Sequence, residues 1–321
     1  MSGLSWDALR DCNRPEGELA MSAYLDAPEP QPTHVSKLDQ LLGGGMTRGL
    51  TVLGGPPSAG KSVLACLVAE RLASHGRRVV YASYEMSWEV VQLRCASAWS
   101  VDTLGNDQFS WSDVVNGTEK RKHEEYEGLD RGTLSRYLVG NKADKVTRAL
   151  TAWDEGPGRN LAVITDGSNA DQLCEAMRSV DGQKPVLIVD YLQIMPTAEK
   201  QEQSEYQRVT EVTNKLQSLA YSEGGCDNVL ALSSTRNLTS QDYQKGPSLE
   251  WFRGSGYIGF AAEQAVIITA DKERDRQSGQ DVPLVAQDGG HMGRITVVKN
   301  KSGASGISIP TLLYGWCNWM R

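Results

Sequence analysis

Gly54-Gly55-Pro56-Pro57-Ser58-Ala59-Gly60-Lys61-Ser62 is the stretch whose reading decides the fold. From Gly55 to Ser62 it satisfies G-x-x-x-x-G-K-[ST], the glycine-rich turn whose backbone N–H groups cradle phosphates. An apolar run, Leu50 to Leu53, precedes it. Val63, Leu64, Leu67, Val68 and Leu72 follow at the spacing of one helix face, and Gly76 stops that helix. Strand, turn and helix in this order aim a helix N-terminus at an anion. The cradle is expected to comprise Gly55, Pro57, Ser58, Ala59, Gly60, Lys61, Ser62 and Val63. Lys61 reaches the terminal phosphates and the Ser62 hydroxyl ligates Mg²⁺, so ATP with Mg²⁺ is the expected ligand.

Outward from this loop, apolar runs alternate with helical patterns, which predicts a mainly parallel α/β sheet flanked by helices. The strand-like runs are Leu50–Leu53, Val79–Ala82, Leu161–Ile164, Val186–Val189, Val229–Leu232 and Ala265–Ile268. Arg294–Val298 and Ile307–Leu313 are read as a C-terminal antiparallel pair. The clearest helix spans 205–223, with Val209, Val212, Leu216, Leu219 and Ala220 as its stripe and Gly224-Gly225 as its end. Residues 1–34 read as an arm with a proline-rich linker, Asp26 to Pro32, and 35–321 as one ATPase domain. Residues 101–160 are polar and charged, and read as helical elaboration with one helix over Ala143–Trp153.

Composition narrows the classes. No apolar run approaches the eighteen residues of a membrane span, and the N-terminus has neither the basic start nor the apolar stretch of a secretory signal. Six scattered cysteines form no C-x-x-C pair, and four dispersed histidines offer no zinc spacing, so a reduced, cytoplasmic chain is expected. A net charge of −7 argues against a broadly basic surface but leaves room for nucleic acid in a locally basic channel.

Two carboxylates complete the expected site. Val186-Leu187-Ile188-Val189-Asp190 is an apolar strand ending in an acid, placed to hold Mg²⁺ beside Ser62. Glu85 follows the strand Val79-Val80-Tyr81-Ala82-Ser83, at the sheet edge where ligands bind, and can polarise the water that attacks the γ-phosphate.

Taken in order, LLGGGMTRGLTVLGGPPSAGKS, YASYEMSWEVVQLR, VLIVDYLQIM, VLALSSTRN, FRGSGYIG and VVKNKSGASG resemble the RecA-type ATPase domain of DnaB-family replicative helicases, from about Val35 to Leu313. RadA-like and KaiC-like ATPases share the LGGG opening and resemble the chain less at D-Y-L-Q. The resemblance implies Glu85 as catalytic base, Asp190 as metal-site acid, and Lys299 on a hairpin facing the next subunit's nucleotide. Two positions depart from the family. Ser234 stands where the family has the Gln that senses the γ-phosphate, and Lys301 stands where it has an arginine finger. Lysine keeps the charge without the bidentate fork, and Arg294 or Arg253 are alternative fingers. The family's helical N-terminal domain has no counterpart ahead of residue 35. The family's channel loops point to Lys200 and Arg208, and to Arg253 and Gly254 in the glycine-rich stretch, as contacts for single-stranded DNA. The implied assembly is a homo-oligomer, a hexamer, with a replication loader or initiator protein as partner. Against the ring-forming motor stand two other readings: an ATP-dependent DNA- or protein-binding module with little unwinding, and a nucleotide-bound structural partner, which Glu85 disfavours.

Overall fold

A computed structural model describes residues 29–105, 108–112, 114–115, 143–198, 204–222, 224–254, 256–274 and 281–321. The arm over 1–28, residues 116–142 of the expected elaboration, Lys200 and Ser255 lie outside the described residues.

Helix α1 (Ser36–Leu42) leads into β1 (Gly49–Gly55), the phosphate-loop turn and α2 (Lys61–Ser74). Then come β2 (Val79–Ser83), α3 (Trp88–Thr103), α4 (Ala143–Glu155), β3 (Leu161–Ile164), α5 (Ala170–Ser179) and β4 (Val186–Asp190). Helix α6 (Glu205–Tyr221), β5 (Asn228–Ser234), α7 (Ser240–Lys245), α8 (Gly256–Ala261) and β6 (Gln264–Ala270) follow. A small hairpin, β7 (Lys272–Arg274) and β8 (Asp281–Pro283), precedes β9 (His291–Asn300), β10 (Ile307–Tyr314) and β11 (Trp319–Met320).

Nine strands form one sheet in the order β11-β10-β9-β6-β1-β5-β4-β2-β3. Pairing is parallel from β6 to β3 and antiparallel from β6 through β9 and β10 to β11. Every run expected to be a strand is one. The central parallel strands β1, β2 and β4 are buried on both faces, which is why they read as continuous apolar runs rather than as an alternation. Their period-2 side chains split the core. Leu53, Tyr81, Ile188, Leu230 and Val266 face α1–α4, while Val52, Val80, Leu187, Val229 and Ala265 face α5, α6 and α8. Residue Asn169 caps α5 and Ser204 caps α6, each in a reciprocal capping box.

Since β1 lies between β5 and β6, the chain passes over two strands to reach β2. The crevice this leaves opens at the carboxyl ends of β1, β5, β4 and β2, where ligands of open α/β sheets bind. The loop between β1 and α2 sits at that edge.

Candidate nucleotide site at the carboxyl edge of the sheet

The cradle is fixed by backbone rather than by side chains. Gly60 takes φ +98° as the N-cap of α2, and a Cβ there would lie 2.7 Å from Leu313 Cδ1. No side chain caps α2, so its first-turn N–H groups are left to an external acceptor. Lys61 Nζ folds back over the loop and donates to the carbonyls of Gly55 (2.8 Å) and Pro56 (2.9 Å). Burial lowers the Lys61 ammonium below its usual range, opposed by the charges of Asp190 and Glu85. Both carboxylates therefore lie within electrostatic reach of the lysine.

Asp190 ends β4 almost fully buried. Its Oδ2 accepts the Tyr81 hydroxyl at 2.8 Å, and its carboxylate accepts the Ser62 hydroxyl. Burial pushes the carboxyl above its ordinary value, while the Tyr81 and Ser62 hydrogen bonds pull it back. Glu85 is exposed on the turn after β2. That turn is pinned twice: Ser83 Oγ donates to the Met86 carbonyl (2.8 Å) and accepts the Met86 N–H (2.9 Å), and Tyr84 N–H donates to the Asp190 carbonyl. The register places Ser83 beside Asp190, and Ser234 beside Gly55. Ser234 Oγ has no hydrogen-bond partner within the protein and is shielded from solvent.

Gln193 joins these pieces. Its amide nitrogen donates to Ser233 Oγ and the Arg253 carbonyl, each at 2.8 Å, and its amide oxygen accepts the Ser234 N–H at 3.1 Å. The Arg208 guanidinium donates to the Gln193 carbonyl at 2.9 Å. Arg253 is held by Glu205: Nη2 donates to Oε2 at 2.9 Å, and Nε lies 2.9 Å from Oε1 as an ion pair. Gly254, at φ +92°, packs against Val209 and Glu205. The structure thus brings Arg208, Arg253 and Gly254 together beside the end of β4. Arg208 and Arg253 are each engaged by a protein acceptor.

The hairpin lysines lie elsewhere. Lys299 pairs in register with Ala265, and the Lys301 N–H donates to the Glu263 carbonyl, at the amino end of β6. The cradle is toward the opposite end of the neighbouring β1, about 10 Å along the strand from the level of Lys299 and about 17 Å from that of Lys301. Lys299 Nζ donates to the carbonyls of Gly259 and Phe260 at the end of α8, and Lys301 Nζ pairs with Glu263 at 2.6 Å. Burial and the neighbouring Lys301 charge lower the Lys299 ammonium. Arg294 is placed differently. It sits beside Thr269 at the carboxyl end of β6 and lines a pocket of about 760 Å³ that also touches Pro56, Pro57 and Ala59 of its own loop. Arg294 thus lies at the carboxyl edge, beside the phosphate loop of its own protomer.

A family model, the DnaB-like helicase C-terminal domain, matches residues 31–124 and 129–311. The chain belongs to this family. The replicative DNA helicase DnaC of Bacillus subtilis is 24% identical over 273 residues, 83% of this chain and 54% of that protein. The DNA repair protein RadA of Mycobacterium tuberculosis is 47% identical, but over only 66 residues, 20% of this chain and 14% of RadA. The chain therefore spans a small part of the RadA proteins it matches, and about half of the helicase. Among solved structures, an isolated ATPase domain matches with a TM-score of 0.69 at 17% identity, covering 95% of this chain and 99% of that one. A DnaB-like replicative helicase, solved with a view to its interactions with primase, matches at the same TM-score and 16% identity, covering 97% of this chain and 69% of that one. The fold is that of RecA-like helicase ATPase domains, as the resemblance implied.

The residues fit a nucleotide with Mg²⁺. Ser62 and Asp190 supply a hydroxyl and a carboxylate, the hard oxygen donors that Mg²⁺ takes together with phosphate oxygens and water. Among the described residues no group of three His, Cys, Asp or Glu could hold a metal by itself. Among the described residues, too, no helix is long and apolar enough to cross a membrane. Sequence reasoning reaches Tyr81 and Gln193 only as members of longer motifs. Tyr81 carries one signal, a phenol in the middle of an otherwise aliphatic strand. Gln193 carries none, because its three partners come from separate segments.

Proposed function

We propose that this chain is the ATPase core of a ring-forming motor on single-stranded DNA, hydrolysing ATP with Mg²⁺, within a replication or mobile-element system. The observation that carries the reading is the division of charged groups between the two edges of the sheet. Lys61, Ser62, Asp190, Glu85 and Ser234 converge on the phosphate loop. Lys299 and Lys301 lie too far from that loop to serve it, yet they flank an exposed edge carrying Phe260, the most exposed large apolar side chain among the described residues. A second copy presenting its cradle to that edge would give each nucleotide a base from one protomer and a lysine from the next.

In this scheme Lys61 leaves the Gly55 and Pro56 carbonyls for the terminal phosphates, and the α2 N–H groups take the remaining oxygens. Ser62 and Asp190 would hold Mg²⁺, which would supply positive charge against the charge developing on transfer. Glu85, exposed at the mouth, accepts a proton from the attacking water. Ser234, with its free hydroxyl next to Gly55, is short for a direct phosphate contact and would report the γ-phosphate through water. The Gln193 bridge then links that position to Arg253 and Gly254, the proposed DNA-facing loop. Residues 35–321 act as one unit. Placing a ring on DNA calls for a loader or initiator protein.

A second reading, an ATP-dependent binding module with little unwinding, is favoured by one feature: Arg253 and Lys301 are both held by protein carboxylates. Negative-stain imaging with ATP and single-stranded DNA, paired with a strand-displacement assay, separates the two. Closed or spiral hexamers that displace a strand support the motor. Rings without displacement support the module, and monomers under all conditions remove both.

A further inference from the structure

Behind the Asp190 carboxylate runs a buried chain of hydrogen bonds that the phosphate-loop pattern does not require. Tyr81 lies in the middle of β2, fully buried among the side chains that face α1–α4. Its hydroxyl donates to Asp190 Oδ2 at 2.8 Å, and its oxygen accepts the Cys66 thiol of α2 at 3.8 Å. One step further back, the Cys95 thiol of α3 donates to the Cys66 carbonyl at 3.4 Å. The three elements are those that frame the site: the cradle helix, the strand leading to Glu85, and the helix after it.

A buried phenol needs an acceptor, and a buried carboxylate needs donors. Each meets the other's need here, which fixes more than energy. An Asp side chain has two soft torsions, and a carboxylate offers about four lone-pair positions. With one oxygen committed to Tyr81, rotation about the carboxylate is restricted and the remaining lone pairs are left for Ser62 and a hydrated cation. Partners one step removed from a metal typically set its affinity by orienting the ligand itself.

We propose that Tyr81 is a positioning residue for the metal-site acid, aligning Asp190 with Ser62 so that Mg²⁺ binds with the nucleotide. This rests on the ATP–Mg²⁺ reading of the cradle. Tyr81→Phe keeps the ring that fills the core and removes only the hydroxyl. The test titrates Mg²⁺ into protein holding a fluorescent, non-hydrolysable ATP analogue and reads how far the cation tightens binding, without turnover. Tyr81→Phe should bind the analogue like the parent in EDTA, and should need about 10- to 100-fold more Mg²⁺ for half-maximal tightening. Asp190→Asn should lose the tightening, and adding Tyr81→Phe to it should change nothing further, because Tyr81 acts through Asp190. A Tyr81→Phe titration matching the parent's while Asp190→Asn is impaired overturns the proposal and leaves the metal reading intact. Weaker binding of Tyr81→Phe in EDTA would make the hydroxyl a general structural element, which also overturns it. A parent whose affinity ignores Mg²⁺ removes the metal reading, and this proposal with it.

Discussion

At the carboxyl edge of the sheet, charged groups are held by burial and backbone. At the amino edge, the lysines are themselves partly exposed, held by one carboxylate or by helix-end carbonyls that a neighbour's acceptors could replace. Asp190 is almost fully buried and bonded to Tyr81 and Ser62, and Lys61 donates to two carbonyls of its own loop. Lys301 instead is nearly half exposed and paired with Glu263, and Lys299 caps the last carbonyls of α8. The contrast has a physical meaning. A group that must meet phosphate with fixed geometry gains from preorganisation, since nothing has to move at the moment of reaction. A group that must act across a subunit boundary needs a resting partner that is easily given up, and exposed ion pairs are weak.

The largest effects should come from the carboxyl edge. Lys61→Ala removes the cradle's own cation and should abolish detectable nucleotide binding, measured by fluorescence with a labelled ATP. Glu85→Gln keeps shape and loses basicity, so binding should remain while turnover falls by about 10²- to 10⁴-fold. A Glu85→Gln protein turning over at the parent's rate would move the base elsewhere and blur the contrast between the edges.

The exposed edge should show its effect only in an assembly. Lys301→Ala should leave ATP affinity near the parent's and lower DNA-stimulated ATPase strongly, though by less than the orders of magnitude lost with an arginine finger. Lys301→Arg should preserve or raise the rate. Mixing Lys301→Ala with Glu85→Gln protomers should restore part of the activity, because some interfaces then pair an intact base with an intact lysine. Absence of rescue, with Lys301→Ala as active as the parent, would return the search to a residue within one protomer, and Arg294 already lines the pocket beside Pro56 and Pro57.

These two edges were unequally legible in the sequence. The cradle could be read because phosphate binding by backbone demands Gly55, Gly60, Lys61 and Ser62 at fixed spacing, and because apolar runs buried on both faces announce parallel strands. Asp190 was readable as the acid at the end of such a run. The hairpin lysines were readable only by resemblance, since nothing in K-x-K marks which end of a sheet it will occupy. That information lies in the register of β9 on β6. The Gln193 bridge and the Tyr81–Asp190 bond were illegible for a related reason: each joins residues far apart in the chain, 40 to 60 positions for Gln193 and 109 for Tyr81.

DNA affinity should be a smaller and more gradual quantity. Arg208 and Arg253 are engaged with Gln193 and Glu205, so these two arginines meet phosphates only by giving up protein partners. Binding of single-stranded DNA should need ATP or an analogue and fall gently with salt, with a log–log slope of about −2 for some three phosphates. Glu205→Gln frees Arg253 and should strengthen binding and steepen that slope. Tight, salt-sensitive binding by a nucleotide-free monomer would point to an exposed face instead of a channel.

The smallest expected effect concerns Glu70, a carboxylate that is all but fully buried within the helix leaving the cradle. Burial pushes it up to about 7 from an ordinary 4.5, against the Arg71 charge and a 2.7 Å hydrogen bond from Ser74 Oγ. A raised carboxyl favours the protonated folded state. Its contribution to stability is thus complete below pH about 4.5 and is lost as pH rises through about 7. The difference is on the order of 3 kcal/mol at most, since each tenfold change in proton affinity is worth about 1.4 kcal/mol. Glu70→Gln removes the ionisation and keeps an acceptor for Ser74. It should therefore raise the melting temperature at pH 8 by several degrees and leave it nearly unchanged at pH 5, as read in thermal melts of both proteins at both pH values. Should Glu70→Gln instead melt lower at pH 8, the Arg71 attraction outweighs burial. The cradle helix would then be steadied by a charge pair, and the contrast between a buried edge held by hydrogen bonds and an exposed edge held by ion pairs would have to be redrawn.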